Sequence, residues 1–596
     1  MKKVKILLVM SAMFAMTACG GGKKDANFST HWQSDALYHW HPDLNGSDQK
    51  GDYGEHTFEL FEDAKGDKWS RCSVCLFKKA YDGSDVGPNI NTDDGDFSNV
   101  TNFDGNIEIH TAKQKEYLEY TGEYLTMPQN SYPDGDKTDS NPVQVANQSV
   151  GATKTTVSWE YASHDDDVTY SVSIASKADF SDGFDIKGTN AQSIDLYNLF
   201  LGRNYYKVNA IVDGDVVDSS GVHTLTVDST YPRNLYVGER MTNCRDAGGR
   251  VTESGAVIKQ GLLYRTCGNG YDYGSKITDE GKMIMTDQLK VKSEIVLHND
   301  GSFNFNLPNT KVFNTYMDYK NGTPSKHHFS RNTENVKNVF EILANESNYP
   351  VYYHCRIGTD RTGLIAILTN GVLGVSLNDI YQDYLFSNFG KIGNKRKIGA
   401  GDEDDITNYM NEILAMPGET FQEKVYNTLI TIGVPATTIA KVQNILLDGA
   451  KPTNDNGQVV VDAKDMTLGG GVTLQTEAKS SLEARNNPAN YFTLKAGGTA
   501  TFTFDGSGAR SLYMYVGNKD QSSSKKFSTS MSVTVDGEPV TVNTQTFKDA
   551  GMGNCNNRVN YYFVKIGDTG ALSAGTHTVV LTGVANDLII GDVSVL

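Results

Sequence analysis

The chain has 596 residues, a formal net charge of −18 and an apolar fraction of 38%. It is too long for one hydrophobic core, and at about 150 residues per domain it suggests roughly four. The acidic balance excludes the sequence-independent attraction to nucleic acid that a basic surface provides, so no nucleic-acid partner is expected. Glycine is abundant (58), proline scarce (14) and tyrosine frequent (31), a composition of β-rich modules joined by turns. The seven cysteines (Cys19, Cys72, Cys75, Cys244, Cys267, Cys355 and Cys555) form no dense framework. Their odd number leaves at least one thiol free or modified in an exported chain.

Residues 1–19 read as a targeting segment. Lys2, Lys3 and Lys5 form a basic start, and Ile6 to Met16 is an apolar core too short to span a bilayer. Met16-Thr17-Ala18-Cys19 follows, then three glycines. Small residues just before a cysteine resemble the lipobox of bacterial lipoproteins. That resemblance implies that Cys19 becomes a lipidated N-terminus and that the chain is anchored to a membrane of the cell envelope rather than spanning it. An ordinary signal peptide that happens to end in Cys is the alternative.

Residues 20–127 are assigned to an N-terminal domain. Aromatic residues and histidines cluster in His31-Trp32 and His39-Trp40-His41-Pro42, then Glu55-His56-Thr57-Phe58 and Cys72-Ser73-Val74-Cys75. The Cys-x-x-Cys pair has the reach of a zinc knuckle, with His41 and His56 as the further ligands. The stretch is similar to zinc-ribbon-like repeats of bacterial surface proteins, although Asp43-Leu44 stands where those repeats carry another cysteine. A structural zinc, a Cys72–Cys75 disulfide and free thiols all remain open. Residues 82–106, rich in Asp, Asn and Gly, read as solvated loop, and 128–142 as a linker.

Residues 143–230 alternate with period two in several short runs separated by turn signals, which predicts a β-sandwich. Phe200-Leu201-Gly202-Arg203-Asn204-Tyr205-Tyr206-Lys207-Val208-Asn209-Ala210, with Trp159 as core tryptophan, resembles a fibronectin type III module.

The chemistry lies in 231–450. Val351-Tyr352-Tyr353-His354-Cys355-Arg356-Ile357-Gly358-Thr359-Asp360-Arg361-Thr362-Gly363 reads as strand, loop and helix start, and Leu364 to Leu368 continues as an apolar helix. Such a loop turns successive N–H groups toward an anion at a helix N-terminus. A thiolate needs positive surroundings, and a phosphoryl dianion needs a bidentate cation; Cys355 and Arg361 fit both needs. His-Cys-x-x-Gly-x-Asp-Arg-Thr-Gly resembles the phosphate-binding loop of cysteine-dependent tyrosine phosphatases, in their bacterial tyrosine/lipid branch. Asn243-Cys244-Arg245-Asp246, Tyr264-Arg265-Thr266 and Asp383-Tyr384-Leu385-Phe386-Ser387-Asn388 match that branch more loosely, whereas Val296-Leu297-His298 replaces its Asp-Leu-Arg strand.

The resemblance implies an α/β domain with a central, mostly parallel sheet, flanked here by all-β sandwiches. It implies hydrolysis of a phosphate monoester, phosphotyrosine first, through a phosphocysteine on Cys355, without a metal. Arg361 clamps the phosphoryl oxygens, and Arg356, Ile357, Gly358, Thr359, Thr362 and Gly363 line the loop. His354, Arg245 and Asp246 support it. Asp360 is the favoured proton donor, with Asp300 and Asp318 as rivals. Thr359 stands where lipid-active relatives carry lysine, which tips the substrate toward a phosphorylated protein or small aryl phosphate. Phosphoinositides and inositol phosphates are the alternative, and a non-catalytic surface binding protein is the rival class.

Residues 451–596 return to β patterning, in Thr499–Phe504, Ser511–Val516, Met531–Val535, Gly575–Gly583 and Asp587–Leu596. Gly575-Thr576-His577-Thr578-Val579-Val580-Leu581 before a final Ile/Val strand resembles galactose-binding-like jelly rolls, including carbohydrate-binding modules. Tyr513, Tyr515, Tyr561 and Tyr562 are candidates for stacking on a glycan; a purely structural sandwich is the alternative.

Overall fold

The computed structural model describes residues 28–29, 32–44, 48–62, 68–75, 77–81, 89–126, 152–162, 167–228, 231–270, 276–298, 303–317, 332–392, 396, 398, 405–452, 459–476, 490–518, 525–546 and 560–596. Cys19, Asp300, Asp318, Cys555 and the 128–142 segment lie outside them, as do the side chains of Tyr561 and Tyr562.

The N-terminal region is two small sheets. One joins Gln33–Ser34, Tyr38–Pro42 and Lys50–Glu55; the other joins Lys78–Ala80, Lys68–Cys72, Phe58–Glu62 and Asn89–Asn91. After them comes helix α1 (Ala112–Thr126).

The sandwich that follows is built on Gly202–Val212, paired antiparallel with Thr169–Ala175 and His223–Val227. Trp159 is buried in its core, edge-on to Tyr170. Two earlier strands join it: Phe97–Ser98 pairs with Glu160–Tyr161, and Asn106–Ile107 runs parallel to His223–Val227.

The central domain holds a six-stranded sheet. Its strands are β1 (Arg233–Asn234), β2 (Arg245–Asp246), β3 (Leu263–Thr266), β4 (Ser293–Val296), β5 (Lys311–Asn314) and β6 (Val351–His354), in the order β1-β2-β3-β6-β4-β5. Pairs β3–β6, β6–β4 and β4–β5 are parallel, and β1–β2–β3 are antiparallel, so the sheet is mixed and mostly parallel about β6. All four residues of β6 are buried, which its run of valine and aromatics requires of a strand covered on both faces.

Beyond the sheet lie α2 (Thr333–Leu343), α3 (Asp360–Leu373) and α4 (Leu377–Phe386). Helix α3 is buried along its whole length, as a helix apolar on every side must be. It stops at Gly374, whose φ of +92° closes the C-terminus in the left-handed conformation that glycine adopts without strain. Ser376 then caps α4 by accepting the Asp379 N–H at 3.2 Å.

Helix α1 completes this domain from an earlier part of the chain. Tyr117 and Leu118 of α1 belong to the same core as Leu364 and Tyr384. Asn388 donates to the Tyr117 hydroxyl at 3.0 Å, and Gln382 to the Leu118 carbonyl at 2.8 Å.

The C-terminal sandwich packs against the central domain as well. One sheet orders Thr467–Gly469, Thr499–Gly508, Leu572–Gly583, Met531–Val535 and Glu538–Val540. The other centres on Leu588–Val595 and Ser511–Asn518. Phe502, Phe504, Leu581, Ile590 and Val593 fill the space between them.

Tyr513 and Tyr515, read as candidates for stacking on sugars, are buried against the central domain instead. The Tyr515 hydroxyl lies 2.8 Å from Thr333 Oγ1 at the start of α2, and Tyr513 packs with Met416 and Leu596. The reason is strand parity: alternate residues of Ser511–Asn518 face outward together, and here that outward face is the docking face. A glycan on this sandwich would have to bind elsewhere.

Candidate active site

Strand β6 ends at His354, and the chain then makes one loop before α3 begins at Asp360. Cys355 is therefore at the carboxyl end of the central strand, where ligands of parallel sheets bind, and at the N-terminus of a fourteen-residue helix.

The loop is held from outside by its carbonyls. Arg356 O accepts from the Gly268 N–H at 3.0 Å, and Ile357 O from Asn243 Nδ2 at 3.1 Å. Gly358 O accepts from Asn243 at 3.0 Å and from Arg265 at 2.8 Å. With these carbonyls turned outward, the N–H groups of Ile357, Gly358 and Thr359 turn the other way, and among the described residues no backbone carbonyl accepts them. That is an anion cradle. Gly358 is required within it: its φ is +75°, and a Cβ there would lie 2.5 Å from the Thr266 carbonyl oxygen.

Behind the loop is a buried charge network. Arg245 donates to Asp383 Oδ1 at 2.8 Å, to Ser387 Oγ at 3.1 Å and to Asn243 Oδ1, so the residue that holds the loop is itself held. Arg265 donates to Asp383 Oδ2, and Tyr231 to Oδ1 at 3.0 Å. Burial opposes charge on Asp383, but Arg245, Arg265 and Arg250 outweigh it and hold the carboxyl well below the usual range. Asp246 serves a different junction: it accepts from Arg233 at 2.7 Å and from the Gly248 and Gly261 N–H groups, away from the loop.

Cys355 is buried. Burial pushes its thiol up, yet the net shift is downward, because the Arg361 guanidinium attracts the thiolate and Thr362 adds its hydroxyl and N–H dipoles. Asp360 opposes that shift. Thr362 Oγ1 makes no hydrogen bond of ordinary geometry among the described residues, so it acts on the sulfur at longer range. Arg361 is buried and also reaches the Met317 carbonyl at 3.4 Å. Thr359 is buried, with Asn243 on its hydroxyl at 3.2 Å, while Arg356 is partly exposed. Gly363, in the first turn of α3, lies against the Tyr384 ring.

Asp360 is gripped on both oxygens by Arg396, at 3.0 Å each. A proton on either oxygen would have to displace that guanidinium. His354 lies buried on the far side of β6 from Cys355. Its Nδ1 is 3.0 Å from the Cys355 carbonyl oxygen and its Nε2 is 2.8 Å from Glu294. Sequence reasoning gave no role to Asn243, Arg265, Asp383, Glu294 or Arg396. The first three stood inside recognised stretches, but their convergence is a property of the sheet.

A second cluster lies in the N-terminal sheets. One ligand atom each from His39, His56, Cys72 and Cys75 lie within 4.8 Å of one another. The sequence reading chose His41; the structure places His39 there. The register of Tyr38–Pro42 against Lys50–Glu55 shifts between the two histidines, which puts His39 opposite Gly54, near His56. His41 packs on the Trp32 ring instead, at 3.8 Å between centroids. Cys72 and Cys75 are free thiols, not a disulfide. Cys75 hydrogen-bonds Cys72, pulling the Cys72 thiol down and pushing its own up.

The distances suit a tetrahedral ion. Cys72 Sγ is 3.9 Å from His39 Nδ1 and Cys75 Sγ is 3.3 Å from His56 Nδ1, against about 3.6 Å for sulfur–nitrogen edges around zinc. His56 Nε2 is 2.8 Å from the Asp35 carbonyl, which makes it the N–H and leaves Nδ1 as the ligand atom. The cluster can hold a metal.

Residues 237–433 match the model of the tyrosine phosphatase family, so the chain carries a domain of that family inside a multidomain protein. No curated protein matches the chain. Solved structures resemble single modules. The GH26-CBM35 β-(1,4)-mannanase of Podospora anserina is 16% identical over 24% of this chain and 27% of that one, with a TM-score of 0.17. The chain thus spans about a quarter of that enzyme. A family 35 carbohydrate-binding module from Clostridium thermocellum is 18% identical, over 23% and 97%, with a TM-score of 0.18. The core catalytic domain of the PP-IP phosphatase SIW14 from S. cerevisiae, in complex with citrate, is 23% identical, over 24% and 77%, with a TM-score of 0.18.

Proposed function

We propose that this protein hydrolyses phosphate monoesters through a phosphocysteine on Cys355. The observation that carries this is the buried Cys355 at the mouth of three inward N–H groups and the start of α3, where the Arg361 charge draws its thiol down. The thiolate attacks phosphorus, and the P–O bond to the leaving group breaks. Arg361 and the loop amides carry the charge that builds on the equatorial oxygens. Water then attacks the phosphocysteine, returning the thiolate and releasing phosphate. Asp360 is our acid–base group, and it enters the reaction when Arg396 releases it.

Our first substrate is phosphotyrosine in a protein or a small aryl phosphate. Thr359, buried under Asn243, supplies no cation for further phosphates. The partly exposed Arg356 at the first variable position favours the second reading, inositol phosphates. Side-by-side turnover of phosphopeptides, phosphoinositides and inositol phosphates by the full chain decides between them. Preference for an inositol phosphate overturns the first reading, and no metal-independent turnover of any aryl phosphate above Cys355→Ser overturns the enzyme reading.

Two further assignments belong to this proposal. The His39, His56, Cys72 and Cys75 site holds a structural zinc, which supplies a tetrahedral crosslink between the two small N-terminal sheets. The chain is exported and lipid-anchored through Cys19, as its basic start, short apolar core and Ala18-Cys19 support. Metabolic labelling with a fatty-acid analogue should mark the protein and fail to mark Cys19→Ser.

A further inference from the structure

Glu294 stands in the stretch where the sequence departs from the phosphatase pattern. Strand β4 carries it directly opposite Tyr352 of β6. Tyr352 and Phe305 form an apolar cluster on one side of the sheet, while Tyr353 and Cys355 belong to the main core on the other. Glu294 and His354 are both fully buried. Glu294 Oε1 lies 2.8 Å from His354 Nε2 and accepts the Phe305 N–H at 3.1 Å; Oε2 has no hydrogen-bond partner among the described residues.

The hydrogen bonds count protons. The Cys355 carbonyl oxygen, 3.0 Å from His354 Nδ1, only accepts, so Nδ1 carries a hydrogen. A carboxylate also only accepts, so the Glu294 contact requires a second hydrogen between Oε1 and Nε2. Both contacts are satisfied when the pair holds one proton more than a carboxylate and a neutral imidazole. A buried carboxylate is costly unless it faces a positive partner, and the only basic nitrogen in contact with Glu294 among the described residues is this one.

We propose that Glu294 is a positioning residue that keeps the second proton on His354 Nε2, so that a cationic ring donates Nδ1–H to the Cys355 carbonyl and stands as positive charge behind the nucleophile. The orientation follows the rule that one ring nitrogen's partner sets the state of the other. Other groups face this pair without replacing it. Tyr352 stacks on the ring at 5.8 Å, and its buried phenol, pushed well above its ordinary range by burial and by Glu294, faces that carboxylate as a neutral group; Phe305 meets the ring edge at 5.3 Å. Arg361 and Asp360 act on Cys355 from the loop side, and His298 packs on Phe303. The catalytic consequence rests on the phosphatase reading, but the thiolate titrates without any substrate.

The test is the pH profile of Cys355 alkylation by iodoacetamide in the full chain, followed by mass mapping of the Cys355 peptide. In Glu294→Gln the amide still hydrogen-bonds Nε2, but the ionic proton is gone. The midpoint should move about one unit to higher pH, with alkylation about tenfold slower below it and unchanged well above it. His354→Asn, which retains an N–H for the carbonyl, should shift the midpoint equally and carries the test if the Gln variant does not fold. Midpoints equal to wild type overturn the proposal and leave Glu294 a structural residue. A shifted midpoint in a protein that turns over no aryl phosphate overturns the phosphatase reading and leaves the Glu294 role standing.

Discussion

The molecule holds two cysteine sites that differ in how the thiol is charged. At Cys355 the protein supplies positive elements of its own, among them Arg361, Thr362 and the start of a fully buried helix. At Cys72 and Cys75 the thiols have each other, two imidazoles and backbone N–H groups, that of Val74 at 3.4 Å from Cys72 Sγ, and lowering one raises the other. The first site is complete for an anion. The second gathers four donors with no fixed cation among them, which is the condition of a metal site. Cysteine chemistry is thus set by whether the nearest positive charge is built into the fold or has to be bound.

That contrast breaks most decisively at the nucleophile. Cys355→Ser should cost about 10⁴-fold or more in aryl phosphate turnover while zinc content, measured by atomic absorption, stays at one per chain.

Next comes the network that holds the loop. Asp383→Asn should leave Arg245 and Arg265 buried without their carboxylate, destabilising the domain by about 3–5 kcal/mol in denaturant titration. Because the folded carboxyl is held down, its stabilising contribution is full at neutral pH and is lost as pH falls below about 4, and the variant should lose that acid dependence.

Asp360→Asn should lower kcat about 100-fold and flatten one limb of the pH–rate profile, with a smaller change in KM. An unchanged profile removes Asp360 from proton transfer.

Cys72→Ser should abolish zinc binding and loosen the N-terminal sheets in hydrogen exchange, with kcat unchanged. A fall in kcat that zinc restores would join the two sites.

The smallest effect lies at the docked C-terminal sandwich. Burial and Asp462 push the Asp592 carboxyl up to about 7, with Glu334 of α2 adding to the rise and Lys337 opposing it. A carboxyl raised on folding binds its proton more tightly in the folded state, so this contact weakens as pH climbs from about 4 toward 7. Asp592→Asn should raise Tm by about 2–4 °C at pH 8 and not at pH 5, read by calorimetry.

What the sequence revealed followed contiguity. The Cys355 loop was legible because strand, cradle, cation and helix start lie in thirteen successive residues. The strands of the C-terminal sandwich were legible from period-two patterning. Asn243, Arg265 and Asp383 meet at the loop only because β2 and β3 pair beside β6 and α4 packs behind them, contacts between residues 93 to 118 positions apart. His39 was missed because two buried histidines stand two positions apart on one strand, and only its pairing, with His39 opposite Gly54 and His41 opposite Gly51, shows which of them lies beside His56. Glu294 was passed over because the replaced Asp-Leu-Arg stretch drew notice for what it lacked. Helix α1 gave no hint that Tyr117 would complete the core of a domain that begins beyond a whole sandwich.

The central claim is covalent: phosphate passes through Cys355. Rapid acid quench of the full chain with a ³²P-labelled aryl phosphate, followed by peptide mapping, tests it directly. The account predicts label on the Cys355 peptide during turnover, undiminished by EDTA and absent from Cys355→Ser. Turnover without label on that peptide, or turnover that survives in Cys355→Ser, would contradict it.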